Sequence, residues 1–277
     1  MSDAPAFYST ALEGGRASVW LGDCLEAMGH MDADSVDQVI TDPPYEKHMH
    51  VNKAQKAHPR GRKIRGDGYA ELEVLDFASI EPIRVEAARQ MVRVSRGWLL
   101  VFCTPEGVAP WRDAIEAAGA RYKRACCWIK PDATPQFNGQ GPAMGAEMFV
   151  AAWCGSGHAH WNAGGKRGVY TFNTNNAQRD GRHPTEKPVD LMRALVRDFA
   201  GADDLILDPF MGSGTTGVAS LLEGRRFAGF EKDQTYFDVA SQRLEWTRTR
   251  AGPVVRKAQK QATAQTTDNG PLFAALG

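Results

Sequence analysis

Nowhere in this chain do about 18 uninterrupted apolar residues occur, the length a membrane-crossing helix requires. The opening Met1-Ser2-Asp3-Ala4-Pro5 has no basic patch leading into an apolar stretch, so an unexported, cytoplasmic protein with no membrane partner is expected. Cysteine is scarce: Cys24, Cys103, Cys126, Cys127 and Cys154 include no Cys-x-x-Cys pair, and three of them lie in apolar runs. That pattern fits buried free thiols in a reducing compartment and speaks against a structural zinc or any other metal. Neither sign of charge is in excess. Lys plus Arg and Asp plus Glu are 33 each, so net charge neither demands nor excludes a polyanionic partner, and any basic surface must be local. No Gly-x-x-x-x-Gly-Lys is present, which excludes a nucleoside-triphosphate loop.

What is present is an alternation of short apolar runs and helical patterns. The chain has 277 residues, a length suited to one α/β domain with insertions around one substantial core. The alternation predicts a largely parallel sheet covered on both faces. Strands are expected at 17–21, 37–40, 97–102, 122–129, 147–153, 205–207 and 226–230. Helices are expected from about Cys24 through Met28, at 79–94, 110–118 and 189–200, from after Gly217 to Glu223, and at about 234–249. A polar tail without periodicity follows from Ala251.

The stretch around which this pattern is organised is Thr41-Asp42-Pro43-Pro44-Tyr45, at the end of the run Val36 to Ile40. Proline cannot donate to a sheet ladder and biases its predecessor toward extended geometry, so the strand should break there into a loop. Asp42 then sits at a strand's carboxyl end, where open α/β sheets bind ligands. An acid, the Pro43 carbonyl and the Tyr45 ring suit a flat ring bearing an amino group. The plain alternative is a strand followed by a Pro-Pro turn.

From Lys47 to Arg65 the chain turns basic: Lys47, Lys53, Lys56, Arg60, Arg62, Lys63 and Arg65 stand with His48, His50 and His58 and no acid. This predicts a surface loop whose cations contact phosphates, against the alternative of a merely solvated loop. The stretch 155–182, rich in glycine with Trp161, Tyr170 and Phe172 beside Lys166, Arg167, Arg179 and Arg182, is expected to be loop and to read substrate.

The second strong signal is Asp208-Pro209-Phe210-Met211-Gly212-Ser213-Gly214-Thr215-Thr216-Gly217 between a strand and a helix, with Glu231 at the end of the next strand, 23 residues beyond Asp208. Strand, glycine turn, helix, strand and acid are the layout of a nucleoside-binding half, in which the acid accepts the ribose hydroxyls. Gly212-x-Gly214-x-x-Gly217 also satisfies the dinucleotide fingerprint, so an oxidoreductase is the rival reading. Against it, the binding half lies in the C-terminal part, Asp208 precedes the glycines where it can take an ammonium group, and Asp42-Pro43-Pro44-Tyr45 has no part in hydride transfer. Asp23, after the strand ending at Leu21, reads equally as a helix cap.

Together these segments resemble the β group of DNA amino-methyltransferases, in family order from Gly22 to about Leu244. They are Gly22-Asp23-Cys24-Leu25, Asp42 to Tyr45, Trp128-Ile129-Lys130-Pro131 followed by Glu147, His183 to Pro188, Asp208 to Thr215 and Phe230-Glu231. The resemblance implies a Rossmann-like methyltransferase fold with a seven-stranded, mostly parallel sheet containing one antiparallel strand, and helices on both faces. It implies one permuted domain over 1–250, with a catalytic half at 17–153, substrate-reading loops at 46–78 and 132–182, a cofactor half at 183–250, and a tail at 251–277.

The implied cofactor is S-adenosylmethionine, with Asp208, Phe210, Gly212, Ser213, Gly214 and Thr215 around its methionine and ribose portion. Glu231 would take the ribose hydroxyls, Asp23 and Cys24 would face the adenine, and Lys187 would lie near the methionine carboxylate. Asp42, Pro43, Pro44 and Tyr45 are the implied catalytic set. Lys47, Lys53, Arg60, Arg62, Lys63, Arg65, Lys166 and Arg167 are the candidate contacts to double-stranded DNA, and a bacterial or phage-encoded protein is implied.

Asp at the first motif position looks like the adenine-N6 enzymes, whereas Ser is usual among the cytosine-N4 enzymes. Both share the acceptor geometry, and the cytosine alternative stays open. A protein-glutamine methyltransferase usually carries Asn there, and a non-enzymatic binding module would not need both halves. A homodimer and a restriction–modification setting are left open. In the tail, Asn269-Gly270-Pro271-Leu272-Phe273 resembles a degenerate sliding-clamp docking motif, against the alternative that Leu272 and Phe273 fold back onto the enzyme.

Overall fold

The computed structural model describes residues 8–11, 16–46, 79–133, 141–174 and 186–266, with side chains placed in 16–46, 79–133, 141–174 and 186–250. The strands are β1 (Tyr8–Ala11), β2 (Ala17–Leu21), β3 (Gln38–Thr41), β4 (Trp98–Cys103), β5 (Arg121–Ile129), β6 (Ala146–Trp153), β7 (Val169–Thr171), β8 (Leu205–Asp208) and β9 (Arg226–Glu231). The helices are α1 (Cys24–Gly29), α2 (Arg84–Val94), α3 (Val108–Ala117), α4 (Val189–Phe199), α5 (Thr215–Leu222) and α6 (Gln234–Thr266).

Among the described residues the sheet has nine strands in the order β1-β2-β9-β8-β3-β4-β6-β5-β7. The seven from β2 to β5 are those the pattern predicts. Their one antiparallel member is β6, which runs against both β4 and β5. Two edge strands raise the expected count: β1 pairs antiparallel with β2, and β7 pairs parallel with β5. The second corrects the reading of 155–182 as loop throughout. Three residues of a glycine-rich segment carry too little periodicity to announce a strand, and β7 exists because β5 offers it a free edge.

Central strands are buried on both faces, as parallel strands with helices above and below must be. Along β3 and β4, Val39, Leu99 and Val101 join Met91 of α2 and Trp111 of α3 in one core, whereas Ile40, Leu100 and Phe102 join Leu191 and Leu195 of α4 in another. A third core packs Val19 and Phe227 against Val218 of α5 and Phe237 and Leu244 of α6.

Two helices differ from the pattern. The segment expected to be helical from Ser79 begins its helix at Arg84, after a turn over 81–83. The last helix continues to Thr266, although a polar tail was expected from Ala251. Periodicity stops near Thr249, but Ala, Lys, Gln and Arg have high intrinsic helix propensity, and a helix needs no apolar stripe to continue along such a sequence. No helix among the described residues is long and apolar enough to cross a membrane.

The topology fixes where chemistry can happen. Asp42, Asp208, Glu231 and the Gly22-Asp23 turn all lie at the carboxyl ends of parallel strands, on one edge of the sheet. Because β6 runs the other way, it presents its beginning to that edge: Met148 pairs with Cys103 at the end of β4, and Glu147 with Trp128 near the end of β5.

Candidate active site

A cleft of ≈ 320 Å³ opens over that edge, a size at the lower end of small-ligand sites. Its wall includes Asp23, Cys24, Asp42, Pro43, Pro44, Tyr45, Lys187, Asp208, Phe210, Gly212, Ser213, Thr215 and Glu231. Of the candidate catalytic and cofactor residues, only Gly214 is missing from the wall. It sits one step behind, at the N-cap of α5 with φ 80°. The two candidate regions, 166 residues apart between Asp42 and Asp208, are therefore neighbours.

In the glycine turn, Gly212 has φ 51° and no protein atom within 4 Å of where a Cβ would stand. Left-handed backbone and empty space let a ligand approach the main chain there. Gly217 answers a different need: a Cβ on it would come within 2.7 Å of Phe227 and Leu244, so its lack of a side chain lets α5 lie close on the sheet.

Two buried networks hold this turn. Asp208 accepts hydrogen bonds from the Thr41 hydroxyl (2.7 Å), the Thr216 hydroxyl (2.6 Å) and the Phe210 N–H (3.1 Å). Its carboxylate is thus largely engaged in tying β3, β8 and α5 together, and burial raises its pKa to about 6. Arg243 of α6 donates to the Ser213 carbonyl (2.6 Å) and to Glu186, which also accepts from the Thr215 hydroxyl at 3.1 Å. The Glu231 carboxylate accepts from the N–H groups of Gly212 (2.9 Å) and Asp233 (2.8 Å). An ionised carboxylate has about four lone-pair sites, which leaves capacity for a hydroxyl donor. Asp23 accepts from the N–H groups of Leu25 and Glu26 as the N-cap of α1, so it serves as a cap and lines the cleft as well. Burial lifts the Cys24 thiol to about 12, which keeps it neutral and unreactive.

The other wall is charged. Lys187 forms ion pairs with Asp42 through Oδ2 and with Glu147 at 3.1 Å. Lys130 pairs with Glu147 on its other oxygen, which also accepts from the Tyr45 hydroxyl at 3.4 Å. Burial raises the Asp42 carboxyl, with Lys187 opposing and Glu147 adding to the rise. Lys187 stays protonated: against its burial, Asp42 and Glu147 together carry its pKa well above the usual lysine value. Asp42 lines the cleft, and its buried Oδ1 has no hydrogen-bond partner among the described residues. An unsatisfied buried acceptor of this kind calls for an explanation, and a donor from a ligand is one.

Sequence patterns had given no role to Glu147, Lys130, Glu186 or Arg243. The first three stand in segments that match the family's order, but the meeting of Glu147 and Lys130 depends on the reversed direction of β6, which no local spacing records. Lys187, expected beside a cofactor carboxylate, lines the cleft and is ion-paired with Asp42 and Glu147. Lys166 is ion-paired with Asp198 at 2.5 Å and lies over the Tyr170 ring, so its charge is partly spent within the fold, whereas Arg167 is exposed. Lys47, Lys53, Arg60, Arg62, Lys63 and Arg65, with the tail motif at 269–273, lie outside the described residues. Among the described residues no group of three or more His, Cys, Asp or Glu side chains could hold a metal ion.

A sheet of this order, with a glycine turn and an acid at adjacent strand ends, is a Rossmann-like arrangement, and its neighbours among solved structures are methyltransferase folds. Residues 153–242 match the N6_N4_Mtase family, DNA methylase. Similar proteins include the Type II methyltransferase M2.MboI of Moraxella bovis, 24% identical over 89% of this chain and 94% of that protein. Another is the putative methylase YubD of Escherichia coli (strain K12), 29% identical over 88% and 93%. Among solved structures, the M1.HpyAVI–SAM complex superposes with a TM-score of 0.61 at 23% identity, covering 82% of this chain and 98% of that one. The PvuII DNA methyltransferase (cytosine-N4-specific) superposes at 0.61 with 18% identity, covering 85% and 91%. Over most of its length the chain is similar to these methylases, and the N6_N4_Mtase match falls in its C-terminal half.

Proposed function

We propose that the protein transfers a methyl group from S-adenosylmethionine to the exocyclic N6 of an adenine flipped out of duplex DNA. The observation that carries the reading is that Asp42, whose Oδ1 is unpartnered among the described residues, lines a cleft whose other side is the glycine turn and Glu231. The residues present fit the cofactor. Open space at Gly212 admits a ligand against the backbone, Glu231 keeps lone pairs for ribose hydroxyls, and Phe230 and Tyr236 add apolar surface to the same wall. Bound there, the cofactor supplies an electrophilic methyl group on a sulfonium. Asp23 and Cys24 line the adenine side, and Asp208 acts chiefly by holding the turn in shape.

The amine of adenine is a weak nucleophile because its lone pair is delocalised into the ring. Two acceptors aimed at its hydrogens, Asp42 Oδ1 and the Pro43 carbonyl, favour a pyramidal nitrogen whose lone pair is free to attack. Catalysis is then mainly positioning and electrostatics. Tyr45 offers a face for stacking, and the base must leave the helix because the nitrogen is otherwise out of reach. Adenine is preferred to cytosine because the first motif position is Asp. The basic residues 47–65 with Arg167 supply the contacts to duplex DNA, and the tail at 269–273 docks a sliding clamp.

Sequencing DNA from an expressing host with modified-base detection tests this directly. N6-methyladenine at one recurring sequence is the expected result. N4-methylcytosine would transfer the assignment to the cytosine class. Unmodified DNA, together with stabilisation by NAD and none by S-adenosylhomocysteine in a thermal shift, would replace it with an oxidoreductase.

A further inference from the structure

We infer that Lys187 belongs to the base site: with Glu147 and Lys130 it forms a buried strut that sets Asp42 and Tyr45 in place, and it does not hold the carboxylate of the cofactor. The inference rests on the methyltransferase reading above.

The Lys187 side chain is 5% exposed and its ammonium is ion-paired with Asp42 and Glu147, with the Phe102 ring at 5.0 Å and the Tyr45 ring at 5.6 Å. One of its three donors is hydrogen-bonded to Asp42 Oδ2, and Glu147 Oε2 lies 3.1 Å away as an ion-pair partner. Glu147 in turn reaches Tyr45 through its hydroxyl, and Lys130, which lies over the Trp128 ring at 4.6 Å, fixes the far side of Glu147. One strut therefore touches both residues that would meet the base.

Two positive and two negative groups cancel in this cluster. Buried ion pairs of this kind add little net stability, because desolvation offsets their attraction. The strut does, however, impose geometry. Lys187 holds Asp42 through Oδ2, and Oδ1 has no hydrogen-bond partner among the described residues. The groups facing Asp42 are Lys187, Glu147, Lys130 and Tyr45, with Asp208 at the end of β8 and Cys103 at the end of β4. Among them Lys187 favours the ionised carboxylate, and Glu147 disfavours it.

The test uses the full-length protein, S-adenosylmethionine and unmethylated genomic DNA. Cofactor affinity is measured by calorimetry, and kcat by labelled methyl transfer across a pH series. Lys187→Met should lower kcat by about 100-fold, the scale of a displaced catalytic group, and leave cofactor affinity within about twofold. It should also move the acid limb of kcat to higher pH, because Asp42 loses the cation that keeps it ionised. Glu147→Gln, nearly isosteric, should lower kcat and move that limb to lower pH. Lys187→Arg should keep the wild-type limb and recover part of the activity lost in Lys187→Met. Circular dichroism establishes that each variant is folded. If Lys187→Met does not fold, the direction of the limb in Glu147→Gln decides: a downward shift supports the strut, and an unchanged limb overturns it. A cofactor affinity weakened about tenfold or more in Lys187→Met, with kcat at saturation unchanged, would return Lys187 to the cofactor carboxylate. Wild-type protein that methylates no DNA would overturn the methyltransferase reading, and the strut with it.

Discussion

On the β3 side of the cleft, Asp42, Lys187, Glu147 and Lys130 are in direct ionic contact. On the β8–α5 side, the wall includes glycine backbone, hydroxyls and the carboxylates of Asp208 and Glu231, each engaged by main-chain N–H groups. The second construction suits a ligand held by shape and hydrogen bonds, because open backbone costs little to approach. The first suits an acceptor that must be aimed, because fixed charges in a water-poor site give direction to a carboxylate and resist its rotation. On the proposed function the difference assigns binding to one wall and aiming to the other, so that variants on one side should spare the function of the other.

The strongest break in the comparison should come from Asp42→Ala. Methyl transfer is expected to fall by about 10²–10³-fold or more, as when a key electrostatic group is removed, with cofactor affinity within about twofold by calorimetry. Near-normal turnover would remove Asp42 from the chemistry.

The converse variant, Glu231→Ala, should weaken S-adenosylmethionine binding by about 10- to 150-fold, the equivalent of roughly 1.5–3 kcal/mol for lost charge-assisted hydrogen bonds. At saturating cofactor its kcat should stay near wild type, and a loss confined to kcat would mean that the two walls are not separable.

Asp208 sharpens the comparison through pH, since it joins the walls by its bonds to Thr41 and Thr216. Its folded pKa, about 6, lies above the ordinary value of 3.8, so the folded state holds the proton more tightly than the unfolded chain. Its contribution is fully present below about pH 3.8 and is lost as pH rises through about 6. Asp208→Asn should therefore shrink the fall in melting temperature between these two pH values, as read by calorimetric scans. An unchanged pH dependence would mean that the proton on Asp208 does not contribute.

The smallest effect should appear in DNA binding. Each phosphate contact contributes about 0.9 to the slope of log affinity against log salt. Neutralising Arg60, Arg62, Lys63 and Arg65 together should flatten that slope by roughly 2 to 4 units and leave cofactor affinity alone. Lys166→Ala should change the slope by less than about 0.9, because Asp198 already pairs with its charge. Fluorescence anisotropy across a salt series distinguishes these outcomes, and parallel lines for the quadruple variant would make residues 47–65 a merely solvated surface.

The main strands and the ends of the parallel ones are legible in the sequence, because a strand buried on both faces must be an apolar run and a proline or glycine must break it. Val36 to Ile40 before Asp42-Pro43-Pro44, and Leu205 to Leu207 before Asp208-Pro209, show this. The sequence alone thus determined the α/β class, the candidates Asp42 and Glu231 and the glycine turn between them in the cofactor half. The tertiary structure decided what the local pattern does not encode. It added the edge strands β1 and β7, whose pairing depends on the neighbours they find, and carried α6 to Thr266 without an apolar stripe. It turned Lys187 toward Asp42 and brought Lys130 and Glu147 to the same place. Those last contacts arise because β6 runs against its neighbours and delivers the start of its strand to the edge where the others end, and the direction of a strand in a sheet is a property of the whole fold.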